Sequence, residues 1–342
     1  MVRLLFVLFA AIQILPASDL YFPPPGQGLD VQSRKTPAQA GLDPGVIAAL
    51  KGSGDRWALW RNGHLIHVEG DFNHRQDVWS NRKTWHAMTV AAAVQQGRIP
   101  SLDQSLAVWN AGLRDRYAAV TWRHVITQSS GFDYPYGSFP AYPPGKMWTY
   151  SDLNPIQMCN ALARVYGLED YYDDYTRVVK QAYFDAIGLR GWKLLIRRDP
   201  AYHGVNDAIR FSFDLEDMGR LGLLVLARGN WDGKQIVPKG FVEALETKQT
   251  HGMSVNYDGP NDGDLGYTAD EFPEPPYGYM TWVNTDGDLL PGADRSWAYA
   301  SGAGGNRTIW NHKFGIVFAV QGAGRWPRTN AAPHTLEKHI RK

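Results

Sequence analysis

Val78-Trp79-Ser80-Asn81-Arg82-Lys83 places a hydroxyl and an amine one helical turn apart. Residues three apart on a helix share a face, so Lys83 can point at the Ser80 oxygen. A serine hydroxyl is a weak nucleophile at neutral pH and needs a base beside it. A lysine fills that role only when burial or a neighbouring cation favours its neutral form. Trp79, Trp85 and Trp148 offer apolar surroundings for such a lysine. The run from Lys83 to Gln96 reads as an amphipathic helix closed by Gly97, which puts Ser80 at a helix N-terminus. The plain structural readings of the same pair are an N-cap serine and a solvated helix lysine. The Ser-x-x-Lys spacing occurs once in the chain.

A third group for proton transfer is expected from Trp148-Thr149-Tyr150-Ser151-Asp152. Tyr171 and Tyr172 also precede an aspartate by two residues. They look like ordinary helix positions, whereas Pro143-Pro144-Gly145 and Trp148 set Tyr150 at a loop-to-helix junction. The oxyanion of an acyl-transfer intermediate needs fixed donors. The backbone N–H of Ser80 is one candidate. The other is Ala303 in Gly302-Ala303-Gly304-Gly305, where glycine lets a ligand approach the backbone. Tyr134, Tyr136, Tyr142 and Trp148 are candidate pocket walls, with core packing the default for any one of them.

The bulk numbers agree with an enzyme-sized fold. The 342 residues are 44% hydrophobic and 20% charged, enough for a large core in one domain or two intimate lobes. The balance of 35 Lys+Arg against 34 Asp+Glu, with no long basic run, argues against a nucleic-acid partner. A small-molecule ester or amide is the expected partner instead. The single cysteine, Cys159, can form no internal disulfide and reads as a buried structural thiol in an apolar helix. No His-Glu-x-x-His or other metal-ligand spacing occurs, so no metal is expected. Residues 1–18 carry one positive charge and a short apolar run, the pattern of a signal peptide. They predict export to a periplasm or beyond, with an uncleaved membrane anchor as the alternative.

Working outward, residues 19–40 form a Pro/Gly-rich lead-in and 41–342 a single domain. A helix is expected over Pro44–Lys51, then strands at Arg56–Trp60 and His64–Val68 joined by Asn62-Gly63, a strong hairpin signal. Residues 121–131 read as a short helix closed by Gly131. Further helices are expected over Leu153–Tyr166, Tyr171–Ala186 and Leu215–Ala227, and a turn at Trp231-Asp232-Gly233-Lys234. Residues 257–278 form an acidic Pro/Gly-rich loop, a lid or a solvated surface loop. Strands return at Tyr279–Val283, Gly305–Trp310 and Ile316–Val320. The pattern predicts an α/β (α+β) fold: a mixed, largely antiparallel sheet built from both chain ends and flanked by helices. Its sheet lobe would span about 41–78 and 230–342, with an inserted, mostly helical lobe over about 79–229. Asn306-Arg307-Thr308 is a glycosylation sequon.

At these residues the chain resembles the serine beta-lactamase-related family, which includes class C beta-lactamases, D-alanyl-D-alanine peptidases, family VIII esterases and nylon-oligomer hydrolases. The resemblance runs from about Gly41 to Gly324. Its first motif matches Ser80-x-x-Lys83. Its second, commonly Tyr-x-Asn, matches Tyr150-Ser151-Asp152 with aspartate replacing asparagine. Gly97–Asp103, Gln128-Ser129-Ser130-Gly131, Pro144-Gly145 and Arg210-Phe211-Ser212 through Gly233-Lys234 look like family scaffold. The third motif aligns with Ala300-Ser301-Gly302, where the family's Lys or His has become alanine. In lactamases and peptidases that cation helps hold a substrate carboxylate. The resemblance therefore implies a penicillin-binding-protein-like fold without a metal or cofactor, and Asp152, Ser301 and Gly302 near the substrate.

The expected activity is a serine hydrolase that cleaves a small ester or amide through an acyl-Ser80 intermediate. Lys83 and Tyr150 carry the proton, and Asp152 or Ser151 orients Lys83 or the substrate. The alternatives are a beta-lactamase or D-Ala-D-Ala peptidase, a sensor or binder that acylates without turnover, and a structural cell-envelope protein.

Overall fold

The computed structural model describes residues 20–24, 26–28, 34–114, 117–132, 142–197, 208–255, 274–323 and 332–341. The expected signal segment 1–18, the candidate wall residues Tyr134 and Tyr136, and most of the acidic loop at 257–278 lie outside the described residues.

Helix α1 (Val46–Leu50) leads into β1 (Arg56–Arg61) and β2 (His64–Glu69). Asn62 and Gly63 both take positive φ, 50° and 79°, as a tight two-residue hairpin requires. A short β3 (Gln76–Asp77) precedes helix α2 (Arg82–Gln95). Helix α3 (Trp122–Ile126) starts on a Thr121 capping box and ends where Gln128, not Gly131, turns left-handed at φ 59°. The two-residue β4 (Met147–Trp148) is followed by α4 (Leu153–Val165) and by α5 (Tyr171–Val179), which continues as a π-helical turn over Lys180–Phe184. Strands β5 (Lys193–Arg197) and β6 (Ala208–Phe213) pair with β3 in a small three-stranded sheet that periodicity did not reveal. Then come α6 (Leu215–Leu226), the β7 (Asn230–Trp231) and β8 (Lys234–Gln235) hairpin, α7 (Lys239–Leu245) and β9 (Ser254–Val255), which pairs with β4.

The last strands are β10 (Trp282–Val283), β11 (Trp297–Gly302), β12 (Asn306–Asn311) and β13 (Ile316–Gln321), before α8 (Ala332–Lys338). The strand expected from Tyr279 begins only at Trp282, because Met280 sits at φ 51°. Strand β11 was not among the strands expected from pattern. The main sheet runs β10-β11-β12-β13-β1-β2, antiparallel throughout, so strands from both chain ends do share one sheet. Leu42 bridges Ile340, and the Asp43 N–H donates to His339 O at 2.8 Å, tying the two ends together.

Helix α6 covers one face. A Cβ on its Gly219 would lie 2.6 Å from the Trp60 ring, and one on Gly222 would lie 2.5 Å from Val317. On the other face, Trp297 donates its indole N–H to Glu337 of α8 at 2.5 Å. Helix α2 is buried from Arg82 through Ala93 on every side, among β11, α4 and the end of α5. It is a central helix, not the amphipathic one expected from the sequence. Cys159 is buried, and burial pushes its thiol up to about 12, which fits a structural role. The Asn306 sequon lies within β12, with its amide donating to Ala303 O at 2.7 Å, so it is no open acceptor for a glycan.

Two stability predictions follow from α6. Gly219→Ala or Gly222→Ala should destabilise by roughly 1–3 kcal/mol despite the better helix propensity of alanine, because the added methyl meets rigid core atoms. Gly240→Ala in α7, with open space at its Cβ, should be neutral or slightly stabilising in the same denaturant titration. The second concerns buried Asp217 in the first turn of α6. Burial and then the nearby Asp214 carboxyl raise Asp217 to about 7. The folded form therefore holds a proton that the unfolded form releases near pH 4, and stability is lost as pH rises from there to about 7. Asp217→Asn should gain on wild type by on the order of 2 kcal/mol between pH 5 and pH 8.

Candidate active site

The serine is held by a turn that is seated on β11. Trp79–Asn81 form one turn of 3-10 helix directly ahead of α2, so Ser80 sits just outside the α-helix proper. Trp79 is left-handed at φ 50°, a conformation that costs a non-glycine residue about 1 kcal/mol or more. Its N–H donates to Asp77 Oδ1 at 2.8 Å. The guanidinium of Arg210, 3.1 Å from Asp77 Oδ2, stacks 4.3 Å from the Trp79 ring centre. The ring remains 44% exposed and so does not desolvate the site. Asn81 fastens the turn from the inside. Its amide donates to Ala300 O at 3.1 Å and to Thr308 Oγ1 at 3.4 Å, and its Oδ1 accepts the Trp85 indole N–H at 2.7 Å. Gly302 makes the close approach possible: a Cβ there would lie 2.0 Å from Val78 O and 3.1 Å from Ser80 N.

Lys83, 1% exposed, brings Nζ to 2.9 Å from Ser80 Oγ, so the pair expected from spacing meets. The same Nζ lies 2.5 Å from Asp152 Oδ1 and 4.4 Å from the centre of the Tyr150 ring. Arg82 reaches that same Asp152 oxygen at 3.0 Å. Burial alone would raise the Asp152 carboxyl, but Arg82 and Lys83 outweigh it and hold Asp152 well below the usual carboxylate range. Of the two residues expected to orient Lys83, Asp152 does so. Ser151 instead gives its N–H to Gln128 Oε1, and its hydroxyl oxygen accepts from the Asn154 amide.

Tyr150, 6% exposed, stands between β4 and α4, the junction expected from sequence. Gln128 holds that segment. Its backbone oxygen accepts the Thr149 N–H at 2.9 Å, and its side chain brackets both backbone groups of Ser151 and the Asn154 amide. Trp148, expected as a pocket wall, is only 4% exposed. It packs against Tyr150, Tyr277 and Trp282 and buttresses the tyrosine instead of presenting a surface of its own. Tyr277 is a further aromatic that the sequence did not single out; burial, and then proximity to Tyr150, raise its hydroxyl well above the usual tyrosine value. Tyr171 and Tyr172 lie on α5, with their hydroxyls 2.6 Å apart.

Ser301 and Gly302, both partly exposed, close β11, and exposed Ala303 begins the next turn. Ala300 is buried and brings no cation to this strand. Arg82, Asn81 and Gln128 were missed because polar residues inside a helix or a turn leave no periodic signal. Among the described residues, His251, Glu274 and Asp286 bring metal-ligand atoms within 4.8 Å of one another. Lys248 already supplies the cation there, 2.8 Å from Glu274 and 2.7 Å from Asp286. Among the described residues, no helix is long and apolar enough to cross a membrane.

Gln128→Ala should cost roughly 1–3 kcal/mol by leaving buried groups of the Tyr150 segment unpaired. It should also lower any turnover, and denaturant titration beside an activity assay checks both.

A family model described as Beta-lactamase matches residues 43–339. Solved structures share the fold at low identity. A candidate beta-lactamase of Bacteroides dorei superposes with a TM-score of 0.64 at 14% identity, covering 87% of this chain and 97% of that one. A candidate 6-aminohexanoate-dimer hydrolase of Bacillus anthracis gives 0.59 at 14%, covering 94% and 88%. D-alanine carboxypeptidase AmpC of Burkholderia cenocepacia gives 0.58 at 12%, covering 86% and 96%. No curated protein sequence matches the chain. With the match spanning both the Ser80 turn and the strand it rests on, the chain belongs to the beta-lactamase family.

Proposed function

We propose that this chain is a serine hydrolase that cleaves small esters or amides through an acyl-Ser80 intermediate. The observation that carries the reading is the 2.9 Å Ser80 Oγ–Lys83 Nζ contact, with Lys83 buried against the Tyr150 ring and the Ser80 turn set against the end of β11. Lys83 takes the Ser80 proton as Oγ forms its bond to the substrate carbonyl carbon. The N–H groups of Ser80 and Ala303 stabilise the oxyanion. Collapse of the intermediate breaks the bond to the leaving group, which departs with a proton returned through Lys83 and Tyr150. Water then adds to the acyl carbon, giving its proton to the same relay, and the acid leaves as Ser80 regains its hydrogen.

Strand β11 supports the choice of substrate class. A buried alanine stands where a cation would receive a carboxylate, so substrates without that group are favoured over penicillins and D-Ala-D-Ala peptides. The Bacillus anthracis and Burkholderia cenocepacia neighbours are described by amide chemistry, which keeps amides beside esters as candidates.

Intact-mass measurement after incubation with a short-chain activated ester should show an acyl adduct or rapid turnover in wild type and neither in Ser80→Ala. Lys83→Ala should lower turnover by about two orders of magnitude or more without unfolding, and Tyr150→Phe should lower it as well. Neutral esters should be cleaved faster than a chromogenic cephalosporin. Near wild-type rates in Lys83→Ala, or an adduct persisting in Ser80→Ala, would remove the assignment.

A further inference from the structure

Arg82 and Lys83 share one oxygen of one carboxylate, at 3.0 Å and 2.5 Å. Both cations are buried, and Arg82 shares the wall of a small, mostly apolar cavity with Pro155, Ile156, Cys159 and Ile209. The other titratable groups around them carry no charge at neutral pH. His86, one turn along α2, donates from Nε2 to Ile209 O at 3.0 Å and is pushed down to about 3, by burial first and then by Arg82 and Lys83. From α4, the Cys159 thiol is raised to about 12, and from α5, the Tyr175 hydroxyl is raised well above its usual value, both chiefly by burial. Tyr277 is likewise raised on the far side, and Tyr150 offers Lys83 its ring face. Two cations therefore face a single anion. An arginine does not release its proton in a protein. The two cations are buried while the Asp152 side chain is 36% exposed, and the three groups reach zero net charge only when Lys83 gives up its proton; an unbalanced charge on a buried cation is costly.

We propose that Arg82 is a positioning residue that neutralises Asp152 and so allows Lys83 to act as a neutral base despite the carboxylate beside it. This rests on Lys83 being the base for Ser80, as proposed above. Asparagine at position 152 would need no such partner; aspartate there, without Arg82, would hold Lys83 as an ammonium ion. Arg82 and Asp152 thus form a compensated pair in which each substitution alone is harmful to the charge balance and both together restore it.

The test is the pH profile of kcat/KM for a chromogenic ester in wild type, Arg82→Gln, Asp152→Asn and the double variant. Arg82→Gln should move the ascending limb up by about one pH unit or more, with a loss of about tenfold at pH 7. Asp152→Asn should move it down, and the double variant should return it toward wild type. Arg82→Lys, which keeps the charge, should leave the limb within a few tenths of a unit. A limb that stays in place in both single variants, or a double variant no better than Arg82→Gln, would overturn the proposal. A second readout needs no turnover: the NMR titration of the Lys83 ammonium in a Ser80→Ala background, with and without Asp152→Asn. The lysine should lose its proton at lower pH when Asp152 is gone, and an unchanged titration would overturn the proposal even if Arg82→Gln fails to fold. Absence of any Ser80 acylation in wild type would instead strike the hydrolase reading, leaving the NMR comparison to judge the charge pair.

Discussion

The seating of the Ser80 turn on β11 is the constraint on which the site depends. Asn81 spans from the turn to Ala300 O and Thr308, while Trp85 holds its other end. Gly302 removes the side chain that would keep the two backbones apart. In the proposed reaction the N–H groups of Ser80 and Ala303 can meet one oxyanion only if this approach is fixed before substrate arrives, because donors that must reorganise stabilise charge poorly. The strained Trp79 is part of the same arrangement. Its left-handed backbone is held by Asp77 on one side and stacked by Arg210 on the other, so the small β3-β6-β5 sheet props the turn from below.

Around that turn the electrostatics are arranged within a mostly neutral shell. Buried His86, Cys159, Tyr175 and Tyr277 are all shifted toward their uncharged forms, by desolvation before anything else. Beside Lys83 the charge is carried by Arg82, Lys83 and Asp152, while the Asp77–Arg210 pair lies on the Trp79 side of the turn. In a low-dielectric interior such a small group interacts strongly, and the identity of one residue can decide where a proton rests.

Much of this was legible in the sequence, for identifiable reasons. The Asn62-Gly63 hairpin and the α4 and α6 helices follow from turn chemistry and apolar spacing, which are local. Ser80, Lys83 and Tyr150 were legible because their chemistry restricts their spacing and setting. What was not legible depends on contacts distant in sequence. Arg82 carries no signal of its own until α2 is seen to be central. Gln128 reads as part of a glycine-closed helix until its side chain is seen bracketing Ser151. Strand β11 ends in small residues and glycine, a weak β signal, and gains its place from pairing with β12. Met280 breaks an apparently good strand through backbone conformation alone.

The link between Asn81 and Ala300 joins residues 219 apart in sequence. Strand β11 docks in a sheet that also needs β13 to reach back to β1. Such distant pairings form late and slowly, because long loops must close before any contact rewards them. Ser80 and Lys83 can meet early through local structure, but the strand on which their turn is seated arrives only with the last part of the chain. On the proposed mechanism, a partly folded molecule would thus hold the nucleophile without the means to stabilise its intermediate, making chemical competence a property of the finished fold and its loss an early mark of incomplete maturation.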